Sequence, residues 1–127
     1  MGNGTTIGRV RGLGSSHHGT HHWLAARLTA VGNLVLIPWL VVSLALLPGY
    51  DYAAVHAWAA QPVTATALIL IFINTFTHAR VGVQVMLEDY VHGAGGKIAA
   101  WLLVNAVPFA AAAYGIVSVA RIALGGA

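Results

Sequence analysis

Residues 63–87 read VTATALILIFINTFTHARVGVQVML, twenty-five positions that hold one histidine, His78, and one formal charge, Arg80. A helix of roughly 20 apolar residues crosses the hydrocarbon of a bilayer, so this stretch predicts a membrane span. Working outward, the same arithmetic repeats on both sides. Between Arg27 and Asp51 lie 23 uncharged residues, and between Lys97 and Arg121 lie another 23. Only 7% of the 127 residues are charged and 58% are hydrophobic, against about 25% charged in soluble domains. The expected fold is all-α, a membrane protein with three transmembrane helices at about 23–47, 63–87 and 98–120. A polar N-terminal arm, 1–22, precedes the three-helix membrane domain, 23–127. This composition excludes a soluble enzyme, a nucleic-acid module and a two-domain protein.

Local signals sharpen the boundaries. Trp23 lies at interface depth, with Arg27 placed to snorkel or pair, and Pro38 interrupts the first span. Pro48-Gly49 ends it. A loop of about a dozen residues with Asp51, His56 and Trp58 follows, and Pro62 opens the second span at its first turn. The third span is rich in small residues, and Ala111 and Gly115 form a small-xxx-small pair suited to close helix contact. Arg9, Arg11, Arg27 and Lys97 fall on one side of the membrane and Arg121 on the other. The positive-inside rule therefore puts the N-terminus in the cytoplasm and the C-terminus outside. The polar arm ahead of the first span reads as no cleavable signal peptide. Without cysteine the chain forms no disulfide, thiolate zinc site or iron–sulfur cluster of its own. Three helices enclose little volume, so a larger membrane assembly is expected.

Ionisable side chains inside a span are costly and mark functional candidates. His78 lies near mid-depth, where a neutral imidazole needs partners for its ring nitrogens or a metal on one of them. Gly82 and Asp89 fall within about 40° of it around the helix, and a glycine one turn away leaves flat space for a porphyrin. Three readings stand together: a histidine hydrogen-bonded to Asn74, Thr75 or a partner helix; a proton relay; and a haem ligand. Neither of the other spans contains a histidine, so a second axial imidazole would come from another subunit. Tyr90, at the end of the second span, reads either as an interfacial belt residue or as a phenol donating to a quinone oxygen.

The run His-Ala-Arg-Val-Gly-Val-Gln-Val-Met-Leu-Glu-Asp-Tyr, residues 78–90, resembles the signature of the smaller membrane anchor of succinate dehydrogenase (respiratory complex II). That signature is a haem-ligating histidine, a glycine four later, and Asp-Tyr at eleven and twelve. Gly-Thr-His-His-Trp-Leu-Ala-Ala-Arg-Leu-Thr-Ala, residues 19–30, is similar to the lead-in to that family's first helix. The resemblance covers most of the chain and implies a set of roles. His78 would ligate haem b, shared with a second membrane anchor, the cytochrome b subunit. Tyr90 would hydrogen-bond ubiquinone, with Asp89 its acidic neighbour. His21 and Arg27 would lie near the haem propionates. FAD and the iron–sulfur clusters would reside in flavoprotein and iron–sulfur partner subunits, docked on a multi-pass protein of the cytoplasmic (inner) membrane. Arg80 adds a charge that the pattern does not require; a propionate, a partner carboxylate and an interhelical carbonyl are its open destinations.

Other histidines stand apart from this signature. His17 with His21, and His18 with His22, have the i, i+4 spacing of a helical metal pair, but no nearby acid supports them. His56 and His92 read as loop residues. A fumarate reductase anchor is the alternative within the class, and a small histidine-dependent transporter or metal-handling protein the alternative outside it. Membrane lipid is an expected contact; nucleic acid is not.

Overall fold

The computed structural model describes residues 5–7 and 19–125. Four helices run through the longer stretch: α1 (Gly19–Ala45), α2 (Tyr52–Ala60), α3 (Pro62–Tyr90) and α4 (Ala94–Ala123). No strand occurs among the described residues. Helices α1, α3 and α4 are long and apolar enough to cross a membrane, in agreement with the three expected spans. Each reaches a little beyond the sequence estimate at one end or both. α1 takes in the last residues of the polar arm, so His21 and His22 belong to its first turns. α3 continues through Glu88 and Asp89 to Tyr90, helped by an i, i+4 bond from Gln84 Nε2 to Glu88 Oε1 at 2.9 Å. With α4 starting at Ala94, only Val91 to Gly93 connect the two.

The segment expected to be a loop before the second span is instead the helix α2. Asp51 caps it, its Oδ1 accepting the Ala54 N–H at 2.7 Å. Five of its nine residues are alanine, the strongest helix former. At Gln61 the backbone turns extended, its N–H closing on the Trp58 carbonyl, and Pro62 then occupies the first turn of α3. Pro needs no N–H acceptor there.

α3 is the central element. It packs against both α1 and α4, while α1 and α4 do not pair with each other, and α2 rests on α4 and α3. Two glycines set the close approaches. A Cβ on Gly32 would lie 2.6 Å from Asn74 Oδ1, and one on Gly115 would lie 2.5 Å from the Phe72 ring. Gly115, the second member of the small-residue pair, is buried, and Phe72 stacks on Phe76 with ring centres 6.2 Å apart. Few side chains are fully enclosed, and residues such as Leu34 and Phe109 are more than 70% exposed. In lipid that exposure carries no hydrophobic penalty.

Overpacking at the α3–α4 contact follows directly. Gly115→Val is expected to destabilise the bundle by about 1–3 kcal/mol, read by unfolding in detergent. Phe72→Ala in the same chain should recover part of the loss by removing the clashing ring.

Candidate functional site

One polar cluster ties α3 to α1 around His78. Asn33 Oδ1, on α1, accepts from Asn74 Nδ2 at 2.8 Å and from Thr75 Oγ1 at 2.9 Å. Asn74 Nδ2 also donates to the Thr29 carbonyl at 2.8 Å. One turn further along α3, His78 Nδ1 lies 2.9 Å from Thr29 Oγ1. Asn74 and Thr75, two sequence-based candidates for bonding His78, therefore bond Asn33 instead, and Thr29 serves the imidazole. The spacing signal was present in both spans: Thr29 and Asn33 are four apart, as are Asn74 and His78, so each pair lies on one helix face.

The proton count around Thr29 orients the imidazole. Its hydroxyl has one proton, and Oγ1 lies 2.7 Å from the Ala25 carbonyl, the shortest of its contacts. We assign the hydroxyl proton to that carbonyl. Oγ1 then accepts the N–H of His78 Nδ1, and Nε2 keeps its lone pair. Among the described residues Nε2 has no hydrogen-bond partner, yet none of their buried side-chain nitrogens or oxygens is left unpaired. Nε2 therefore reaches the surface of the chain. Gly82, one turn on, is exposed, and beyond its own helical backbone and chain neighbours a Cβ there would meet no atom within 4 Å.

Arg80 serves a different face. Two residues rotate it about 200° from His78, onto the α4 side. Its Nε donates to Asn105 Oδ1 at 2.7 Å, and Asn105 Nδ2 donates to the Trp101 carbonyl at 2.7 Å. Of its three open destinations, the interhelical contact exists within this chain, made to a side-chain amide rather than a backbone carbonyl.

Of the remaining sequence candidates, Arg27 faces the last turns of α3 across a groove, while His21, Asp89 and Tyr90 do not line it. The Arg27 guanidinium lies 5.5 Å from the centre of the Trp23 ring, a cation–π distance. His22, Trp23 and Arg27 face Gln84, Val85 and Glu88 across an open groove of about 720 Å³. His22 and Glu88 thus line the groove with Arg27, a placement the sequence alone did not single out; His21, also in the first turns of α1, is exposed. Asp89 and Tyr90 occupy the last turn of α3, Tyr90 being 78% exposed. His92 is exposed just beyond it, while His56 belongs to α2 and meets the Tyr52 ring at 5.4 Å. His17 and His18 lie outside the described residues. Among the described residues no group of three or more His, Cys, Asp or Glu side chains is placed to hold a metal ion.

Three helices long and apolar enough to cross a membrane, with a histidine at mid-span of the central one, define a multi-spanning membrane protein. The comparisons make this specific. The family profile of the succinate dehydrogenase/fumarate reductase transmembrane subunit matches residues 1–112, and this chain belongs to that family. The succinate dehydrogenase hydrophobic membrane anchor subunit of Paracoccus denitrificans is 32% identical over 114 residues, covering 84% of this chain and 88% of that protein. Its namesake in Rickettsia bellii is 29% identical over 85 residues, covering 67% of this chain and 68% of that one. No solved structure matches the chain.

The Thr29–His78 pairing has a direct spectroscopic test. With ¹⁵N-labelled histidine, His78 should show the Nδ1–H tautomer in the wild-type chain. Thr29→Val should populate the other tautomer, and Thr29→Ser should preserve the original one.

Proposed function

We propose that this chain is the hydrophobic membrane anchor of a succinate:ubiquinone oxidoreductase of the cytoplasmic (inner) membrane, with its N-terminus in the cytoplasm. In this reading His78 supplies one axial ligand to a haem b whose second ligand belongs to a companion anchor. The observation that carries it is the imidazole geometry: Nδ1 lies 2.9 Å from Thr29 Oγ1 while Nε2 reaches the chain surface. With the Thr29 proton assigned to the Ala25 carbonyl, Nε2 is the nitrogen left free to ligate. A ligating histidine needs that tautomer, fixed by a hydrogen bond at its other nitrogen. The donor set fits a haem in a second respect, because Gly82 leaves the surface beside His78 bare.

The other residues take roles that suit their chemistry. Haem between two imidazoles stores and passes single electrons. Thr29 orients the ring. Arg27 and His21, near the start of α1, provide cationic and hydrogen-bonding groups for propionate carboxylates. Tyr90, about 18 Å along the helix from His78, donates its phenolic O–H to a ubiquinone carbonyl, with Asp89 adjacent as an acidic group of the same pocket. The flavin and iron–sulfur clusters that oxidise succinate reside in partner subunits, which dock at this end of the bundle. The family includes fumarate reductase subunits, but the relatives from Paracoccus and Rickettsia are succinate dehydrogenase anchors, which favours succinate oxidation. The same relationships favour an anchor over a histidine-dependent transporter.

Two substitutions test the assignment in the assembled complex. His78→Leu should abolish the bis-imidazole absorption spectrum; an unchanged spectrum would remove His78 as ligand. Tyr90→Phe should slow ubiquinone reduction by about tenfold or more, equivalent to about 1.4 kcal/mol, while succinate oxidation with an artificial soluble acceptor stays normal.

A further inference from the structure

Arg80 is the side chain that the proposed haem and quinone chemistry leaves unused. It lies ten residues before Tyr90, about 15 Å along α3, and eighteen residues after Pro62, about 27 Å. Helical side chains tilt toward the N-terminus of their own helix, which for Arg80 is away from the nearer end. Asn105 holds Nε sideways across to α4 at 2.7 Å. The guanidinium therefore stays at depth rather than snorkelling to a headgroup. Of its five N–H donors, only Nε has a partner among the described residues. A positive charge with four open donors in hydrocarbon calls for acceptors, and a carboxylate answers both its charge and its paired donors.

The surroundings indicate what delivers that anion. Arg80 and Asn105 line a groove of about 570 Å³ between α3 and α4, with Pro108, Phe109, Ala112 and Ala113 along its α4 side. Pro108 and the two alanines present little side-chain bulk, which lets another helix approach closely. At this depth phospholipid phosphates are out of reach. His78 bonds α1, about 200° around α3 from Arg80, so the groove at Arg80 is a separate face from the one that carries the imidazole. We infer that this groove receives a transmembrane helix of a partner subunit carrying an Asp or Glu at mid-span. That carboxylate pairs with the Arg80 guanidinium through the two outer nitrogens, while Asn105 fixes the plane of the fork. The carboxylate–guanidinium pair matches in both charge and geometry. This contact depends on the chain sitting in a membrane complex and not on the role of His78.

The test uses the full complex in native membrane, with Phe109→p-benzoylphenylalanine as photo-crosslinker. Phe109 lines the groove and is 78% exposed, so an aromatic replacement disturbs little. The expected product is an adduct with a spanning peptide of a partner subunit that contains a mid-span Asp or Glu. Adding Arg80→Gln, or changing that partner acid to its amide, should each lower adduct yield about tenfold. Recovery by exchanging the two charges, Arg80→Glu with the partner acid changed to Arg, would support the pairing further. An adduct with lipid or quinone alone, a partner peptide without an acid, or a yield indifferent to Arg80→Gln would overturn the inference. Because the adduct is read by mass, the outcome is separate from the haem spectrum that tests His78.

Discussion

Polar side chains inside hydrocarbon must find partners within protein, and that requirement organises this bundle. α3 carries Asn74, Thr75, His78 and Arg80 through the depth where water is absent. The first three turn toward α1, where Thr29 and Asn33 answer them. Arg80 turns toward α4, where Asn105 answers it. Each hydrogen bond adds only about 0.6 kcal/mol within a membrane, so their value is less in strength than in rotation: they fix which face of α3 meets which neighbour. With the one Thr29 hydroxyl proton assigned to its own helix, the His78 tautomer follows from the same requirement.

Glycine supplies the proximity that those bonds need. Gly32 lets α1 come close enough for Asn74 to reach Asn33, and Gly115 does the same for Phe72 against α4. Yet α1 and α4 lie on separate sides of α3 without pairing, and three helices so arranged leave most of their apolar side chains outward. Such a shape suits lipid on some faces and other subunits on others. A subunit with an imidazole nitrogen and a guanidinium both facing outward, on different sides of one helix, has two distinct demands on its neighbours.

Much of the architecture was legible in the linear chain. Gaps of 23, 28 and 23 residues between charges set the number of spans. The small-residue pair led to Gly115 as a contact point, and the resemblance at residues 78–90 led to the family that the profile then matched over residues 1–112. The short helix α2 escaped because nine residues are too few to cross a bilayer, and its length invited reading it as connection; the Asp51 cap and the alanine content were the missed signals. His22 and Glu88 were passed over beside Arg27 because the lining of a groove depends on how two helices are rotated, which spacing on one helix does not reveal.

The sequence by itself determined that three long segments must lie in hydrocarbon, and that His78 and Arg80 are the costly exceptions inside them. Hydrophobic transfer is additive along a chain, so counting suffices for that. Only the tertiary structure decided which groups satisfy those exceptions: Thr29 rather than Asn74 for the imidazole, and Asn105 for the guanidinium. Hydrogen bonds depend on angles and on distances of about 3 Å. Such geometry between helices exists only after Gly32 and Gly115 have brought them together and side-chain packing has chosen their rotation.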